Sequence, residues 1–166
     1  DKKNFYIKKT KPLDKTKKHY NESQSLSGVE LKEFSLLYLV LTNLKLIKEN
    51  LHLIENVRIF TEVNKQIFEN IIFRLKSNDQ ISIDKLEIDV KLIDKIKRFA
   101  PIKHILKNKP DNEQQVVIEF LEDVKRDLNN YDLEYRIQQL ESKFSKDMSE
   151  STFNELKELK KKQNIN

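Results

Sequence analysis

The residues of this chain that are best suited by type to metal binding are its three histidines, His19, His52 and His104. They do not have an H-E-x-x-H or comparable spacing, so they predict no ligand set for zinc. His52 lies in an apolar stretch, where a hydrogen-bonded structural histidine is favoured over a metal ligand. We therefore expect no metal site among the histidines.

Two further sets of side chains could do chemistry if they converged. Asp84, Asp89 and Asp94 are five residues apart, which rotates successive side chains by about 140° around a helix, so a solvated face is favoured over a carboxylate cluster. Tyr131 and Tyr135 could stack on nucleic-acid bases, but they continue an apolar seam, which favours a core or helix interface. The chain is expected to have no catalytic, cofactor-binding or metal-binding residue of its own.

Composition excludes several classes of enzyme. The chain has one glycine, Gly28, whereas nucleotide-binding loops and nucleophile elbows need several for tight turns and close backbone approach. It has no cysteine, which excludes disulfides and thiol nucleophiles and favours a cytoplasmic location. The longest apolar run, 36–41, is far shorter than the roughly 20 residues of a membrane span, so no membrane segment or signal peptide is predicted. Because the chain begins at Asp1, we expect a segment of a longer protein.

The excess positive charge lies in the first part of the chain. Residues 1–27 contain eight lysines and three acidic residues, so they carry the whole formal charge of +5. They have no apolar period and end in a serine-rich stretch, which predicts a disordered basic linker. A solvated tether is favoured, and weak, sequence-independent contact with nucleic acid is the alternative. The preference for lysine over arginine is typical of an AT-rich, bacterial genome.

From Ser27 onward the pattern is helical. An S-x-x-E capping box at Ser27 opens a helix that is apolar nearly all round and stops at Asn43, which is typical of a central buried element. One or two short helices should follow, then a longer helix, an ambiguous stretch over 81–90 and two helices separated by a proline. The apolar stripe of the longer helix is Phe60, Val63, Ile67, Ile71 and Leu75. We predict an all-α fold in which residues 28–125 form a multi-helix bundle.

One long helix, from about Glu113 to Phe144, is the most informative predicted element. Its two apolar stripes are Val117, Leu121, Val124, Leu128, Tyr131 and Tyr135, and then Leu133, Ile137, Leu140 and Phe144. The second stripe is displaced from the first by two residues, or about 200° around the helix. The first half should therefore pack on the bundle and the second half on a final helix. Residues 126–166 are predicted to form a projecting helical hairpin that is marginally stable alone.

Two stretches of the chain carry a resemblance to a known family. The first is EFSLLYLVLTNLKLIKENLHLIENVRIF, and the second is YDLEYRIQQLESKFSKDMSESTFNELKELKKKQ. They resemble, respectively, the helicase-activating bundle and the closing hairpin in the C-terminal region of bacterial DNA primases of the DnaG family. The resemblance covers about residues 28–164 and rests on the order and length of the helices. Leu44 stands where the family usually has a proline.

The resemblance implies a part in DNA replication, within the primosome. Residues 28–125 would stimulate the hexameric replicative helicase, and residues 126–166 would dock on the N-terminal domains of that helicase. The parent family is a DNA-directed RNA polymerase, a transferase that makes primers, and it uses zinc and magnesium in domains that this sequence does not contain. Some relatives also bind the acidic tail of single-strand DNA-binding protein near the first helix, where this chain has the single cation Lys32.

Ten residues are expected to hold the hairpin together or to contact the helicase. The apolar ones are Ile137, Leu140, Phe144, Phe153, Leu156 and Leu159. The cationic ones, which would meet an acidic groove, are Arg136, Lys157, Lys160 and Lys161. The alternative function is a free-standing helical nucleic-acid-binding protein, in which the lysine-rich tail and the lysines at 160–162 contact phosphates.

Overall fold

The computed structural model describes residues 14–77, 86, 88–106 and 114–163. Eight α-helices and one 3₁₀ turn follow one another in these residues, and no strand occurs among them. They are α1 (Asp14–Gln24), α2 (Gly28–Thr42), α3 (Leu44–Glu49), the 3₁₀ turn (Leu51–Leu53), α4 (Glu62–Lys76), α5 (Val90–Phe99), α6 (Ile102–Leu106), α7 (Gln114–Asp147) and α8 (Glu150–Gln163). The predicted all-α fold class is confirmed. Among these helices, none combines the length and the apolar character that crossing a membrane requires.

Helix α2 is the centre of the bundle, as its nearly uniform apolar sequence predicts. It begins at the expected capping box, in which the Ser27 hydroxyl accepts from the N–H of Glu30 (3.2 Å) and the Glu30 carboxylate accepts from the N–H of Ser27 (2.9 Å). Leu36 and Leu37 are fully buried, and α4, α5, α6 and α7 all pack against α2. The helix stops before Asn43, the predicted end.

Helix α1 corrects the prediction of a disordered linker over residues 1–27 for the eleven residues 14–24, which are helical. Glu22 lies 4.0 Å from Lys18 at helical spacing and 3.5 Å from the Arg98 guanidinium on α5. Such charge pairs support a helix without an apolar stripe, so hydrophobic periodicity did not indicate it. Residues 1–13 lie outside the described part of the chain.

The helices between α2 and α7 follow the predicted order, with differences at α4. Helix α3 and the 3₁₀ turn are the expected short helices, and a proline separates α5 from α6. Helix α4 begins after Phe60 instead of including it, and Val63, predicted in the apolar stripe, is exposed. The predicted end of this helix at Asn78-Asp79 and most of the stretch 81–90 lie outside the described residues. Within that stretch Leu86 is described, and it is fully buried.

Helix α7 joins the bundle to the hairpin. It is continuous over 34 residues and remains helical through Asn129-Asn130, where the apolar stripe changes face. Its first half packs on α2 and on the 3₁₀ turn, with Leu121 and Leu128 fully buried in the bundle core. Its second half packs against α8, with Ile137 buried between the two helices. The displacement of the stripe therefore corresponds to a change of packing partner along one helix.

Candidate functional site

The interior of the hairpin contains four of the ten predicted residues. Ile137 on α7 and Leu159 on α8 are buried, and Leu140 and Leu156 are half-buried. Thr152 is also buried, which the sequence did not indicate. These side chains hold α7 against α8, and a partner could not reach the buried ones without opening the hairpin.

The end of the hairpin carries three apolar side chains that reach the surface, which we name the apolar tip: Phe144, Met148 and Phe153. The rings of Phe144, which is half-buried, and Phe153 lie 5.7 Å apart between centroids, with a 40° angle between their planes. Phe153 is 48% exposed and Met148 is 77% exposed, although both are large apolar residues. Exposed large apolar groups that cluster on a soluble surface often mark an interaction site. Sequence reasoning included both phenylalanines and missed Met148.

The turn between α7 and α8 fixes the position of Met148. Its backbone is left-handed, with φ of 46°, and its N–H donates to the carbonyl of Phe144 (2.9 Å). This is the left-handed helix end that glycine usually provides. On the other side of the turn, Ser149 Oγ accepts from the N–H of Thr152 (3.3 Å) and caps α8. Met148 thus has a backbone conformation that its side chain disfavours, and an apolar side chain that is exposed to solvent. Unfavourable features of this kind are often found at functional sites.

The four predicted cations fall into two groups. Lys160 pairs with Glu141 across the hairpin (2.6 Å), and Lys161 pairs with Glu158 on its own helix (2.8 Å). The hydrogen bond from Lys161, with the positive charge of the same ammonium, holds the pKa of Glu158 below the ordinary value of 4.5. Arg136 and Lys157 are exposed and make no ion pair within the described residues. Of the four predicted cations, these two are therefore the ones available to an acidic partner.

An aromatic cluster fixes the root of the hairpin on the bundle; we name it the root clamp. Its members are Arg58 and Phe60 before α4, and Tyr131, Asp132 and Tyr135 on α7. The Phe60 ring meets Tyr131 edge-on at 4.8 Å between centroids, and Tyr135 lies 6.1 Å away. The Arg58 guanidinium lies 5.1 Å from the centroid of Phe60 and pairs with Asp132 at 2.6 Å. Tyr131 and Tyr135 thus pack on the segment before α4 and not in a core or on another helix, Tyr135 being exposed, and they line a groove of about 590 Å³.

A buried carboxylate joins α2 to α4, and sequence reasoning missed its role. Glu33 is fully buried on α2. Its Oε1 accepts from the backbone N–H groups of Phe60 (2.6 Å) and Thr61 (3.0 Å), and its Oε2 accepts from the side-chain amide of Asn64 (2.7 Å). Thr61, the residue before α4, makes no side-chain cap of its own. Glu33 therefore caps a helix that begins almost thirty residues away, and this position is structural.

Among the described residues, those considered for metal or acid–base chemistry do not converge. Asp89 caps α5 by accepting from a backbone N–H (2.9 Å), Asp94 is exposed, and Asp84 lies outside the described residues. His52 and His104 are exposed, and within the described residues the hydrogen bond at His52 is accepted by its backbone carbonyl from Lys125 (3.3 Å), not made by its imidazole. The side chain of His19 is not described. Within the described part of the chain, no three His, Cys, Asp or Glu residues are placed to hold a metal ion.

Comparison with known proteins does not identify the chain. No protein-family model matches it, and no curated protein or solved structure is significantly similar to it. Its candidate site is therefore described by its own geometry: an apolar tip, the predicted cations Arg136 and Lys157, which make no ion pair with a described residue, and a clamped root on a single helical hairpin.

Proposed function

We propose that this chain is the non-catalytic, helicase-binding region of a bacterial DNA primase, which recruits primer synthesis to the replication fork. In this proposal residues 28–125 stimulate the replicative helicase and residues 126–166 dock on its N-terminal domains. Primer synthesis, with its zinc and magnesium, would belong to other domains of the parent protein. The proposal starts from the family resemblance, which gives the class of partner.

The observation that carries the proposal is the apolar tip, placed at the end of a helix that also belongs to the bundle core. The part of α7 beyond the root clamp, residues 136–147, is about 18 Å long at 1.5 Å per residue, so the tip lies beyond the bundle. Aromatic side chains that fill a pocket on a partner carry a large share of binding energy in protein interfaces. Phe153 has about half of its surface free for such a contact.

Charge adds a second source of support. Arg136 and Lys157 are exposed cations without ion-pair partners in the described residues, and they flank the apolar stripe of the hairpin. Cations at the rim of an interface raise the association rate with an acidic surface and select against basic ones. Lys160 and Lys161, which already pair within the hairpin, are expected to contribute less.

The root clamp supports the proposal by holding the hairpin in one direction. A freely swinging hairpin would lose conformational entropy on binding, and prior ordering removes part of that cost. Because Arg58 and Phe60 belong to the bundle and Asp132 to α7, the clamp also links a docked hairpin to the part expected to stimulate the helicase.

Calorimetric titration of the chain into the purified N-terminal domain of the replicative helicase from the same organism tests the proposal. We expect Phe153→Ala to weaken binding at least about tenfold, as removal of an aromatic anchor does. Phe73→Ala is the matched control, because Phe73 is 73% exposed on α4 in the bundle. Absence of binding by the unmodified chain, or equal affinities for both variants, would exclude docking through the tip.

A further inference from the structure

A second surface with a distinct chemistry lies between α1 and α5. Four cations line this cleft, Lys18 from α1 and Lys91, Lys95 and Arg98 from α5, and we name it the basic cleft. Its volume is about 440 Å³. The cleft residues lie between positions 18 and 99, whereas the hairpin is formed by residues 126–166. An inference about the ligand of the cleft therefore does not rest on the proposed docking function.

The spacing of the α5 cations places them on one face. Lys91, Lys95 and Arg98 are separated by four and three residues, so they lie in a row along the helix. Ile93 and Ile96, on another face, are buried against the bundle. Burial of that face fixes the rotation of α5, so its exposed cations are held along the cleft.

The acidic groups of the cleft do not neutralise this row. Glu22 is shared between Arg98 (3.5 Å) and Lys18 (4.0 Å), and Asp94 is exposed. Lys91 and Lys95 make no ion pair with any described residue. The ammonium of Lys95 instead lies 5.6 Å from the ring centroid of Phe34. Four cations against two carboxylates leave the cleft positive, with two ammonium groups free to meet an anion.

One wall of the cleft is formed by α1, near the basic end of the sequence. Residues 1–27 carry a net charge of +5, and α1, which lies within them, forms one wall of the cleft. Helix α1 therefore places Lys18 beside the row of cations on α5. A long anion lying along the cleft would meet several of these described cations, in contrast to the single charge of a small-ion site.

We propose that the basic cleft binds the phosphate backbone of a nucleic acid, without reading its bases. Lysine and arginine side chains along a groove give this kind of sequence-independent affinity. The concave shape suits a strand better than a flat membrane surface. The apolar residue that lines the cleft, Phe99, is buried and offers little to insert into a bilayer. The ligand class is therefore a phosphodiester chain.

Fluorescence anisotropy of the full chain with a labelled single-stranded oligonucleotide of mixed sequence tests the site. The cleft variant is Lys91→Gln/Lys95→Gln, and the matched control is Lys143→Gln/Lys146→Gln, two exposed lysines of α7. For two lost phosphate contacts, the slope of log affinity against log salt should become shallower by about 1.4. When the salt is raised from ~50 to ~200 mM, the unmodified chain should then lose about sevenfold more affinity than the cleft variant loses.

Two further measurements distinguish binding in the cleft from a loss of folding and from binding to membranes. Circular dichroism should show that both double variants keep the helicity of the unmodified chain, because all four lysines are exposed. Vesicles containing anionic lipid, tested under the same salt conditions, should bind more weakly than the oligonucleotide. Equal salt slopes for the cleft and control variants would overturn the proposal. So would vesicle binding that exceeds binding to the oligonucleotide.

Discussion

Replacement of Glu33 by alanine should destabilise the bundle by several kcal/mol, although the side chain is polar. The change removes the acceptor of three donors: two partly buried backbone N–H groups before α4 and the buried amide of Asn64. A buried donor left without an acceptor costs about 1–3 kcal/mol. With about 1 kcal/mol for each backbone group and about 2 kcal/mol for the amide, the expected loss is about 4 kcal/mol.

A glutamine at the same position separates the effect of charge from the effect of shape. In Glu33→Gln the amide oxygen can still accept from the two backbone N–H groups, whereas the new NH₂ group faces the amide of Asn64. The Asn64 amide can flip to present its oxygen, so we expect a smaller loss of about 1–2 kcal/mol, from exchanging charged for neutral hydrogen bonds.

Urea unfolding followed by far-ultraviolet circular dichroism measures these differences, since the chain has no tryptophan. The control is Glu134→Ala, an exposed glutamate of α7 for which a change within about 0.5 kcal/mol is expected. At an unchanged m-value, a midpoint for Glu33→Ala that matched the Glu134→Ala midpoint would refute the reasoning. It would mean that water or another acceptor satisfies the start of α4.

Three other perturbations probe the hairpin and its root. Met148→Gly should raise stability in thermal unfolding by up to about 1 kcal/mol, because glycine accepts φ of 46° without the steric cost of a side chain; a lower melting temperature would contradict this. A double-mutant cycle between Arg58 and Asp132 should give a coupling below about 1 kcal/mol, since the guanidinium is half exposed and screened; a larger value would show that the clamp is effectively buried. The pKa of Glu158, followed by NMR, should lie below 4.5 and return toward it in Lys161→Gln. Because this pKa is lowered on folding, its contribution is present above pH 4.5 and is lost as the pH falls through the folded-state pKa; an unshifted titration in the unmodified chain would disprove the pairing.

Apolar periodicity was sufficient to predict the order of the helices from α2 to α8. Each long helix buries a row of apolar side chains that recur every three or four residues. Leu121 and Leu128, which were predicted from this spacing, are fully buried. Helix α1 could not be found in this way because its support comes from charge pairs at helical spacing. A search for opposite charges three or four residues apart would have indicated it.

The candidate site was predicted only as a set of residues. The periodicity that selects Ile137 and Leu159 also selects Phe144 and Phe153, yet the first two are buried and Phe153 is half exposed. Which side chains face outward depends on how two helices lie against each other, and this is not encoded in the spacing along either one. The role of Glu33 was missed for a related reason, since its donors lie 27 to 31 residues away in the sequence. An acidic residue within the apolar run of α2 was the available signal.

The continuity of α7 constrains how the length of this chain can vary. Each residue inserted between the bundle half and the hairpin half would turn α8 by about 100° and move it about 1.5 Å along the axis. One insertion would therefore separate the partners of the root clamp and point the apolar tip in a new direction. An insertion of about seven residues, almost two full turns, would nearly restore the direction at a greater distance. The length of α7 therefore sets both the direction and the distance of the apolar tip relative to the bundle. Relatives of this chain should differ in length in their loops and keep the length of α7.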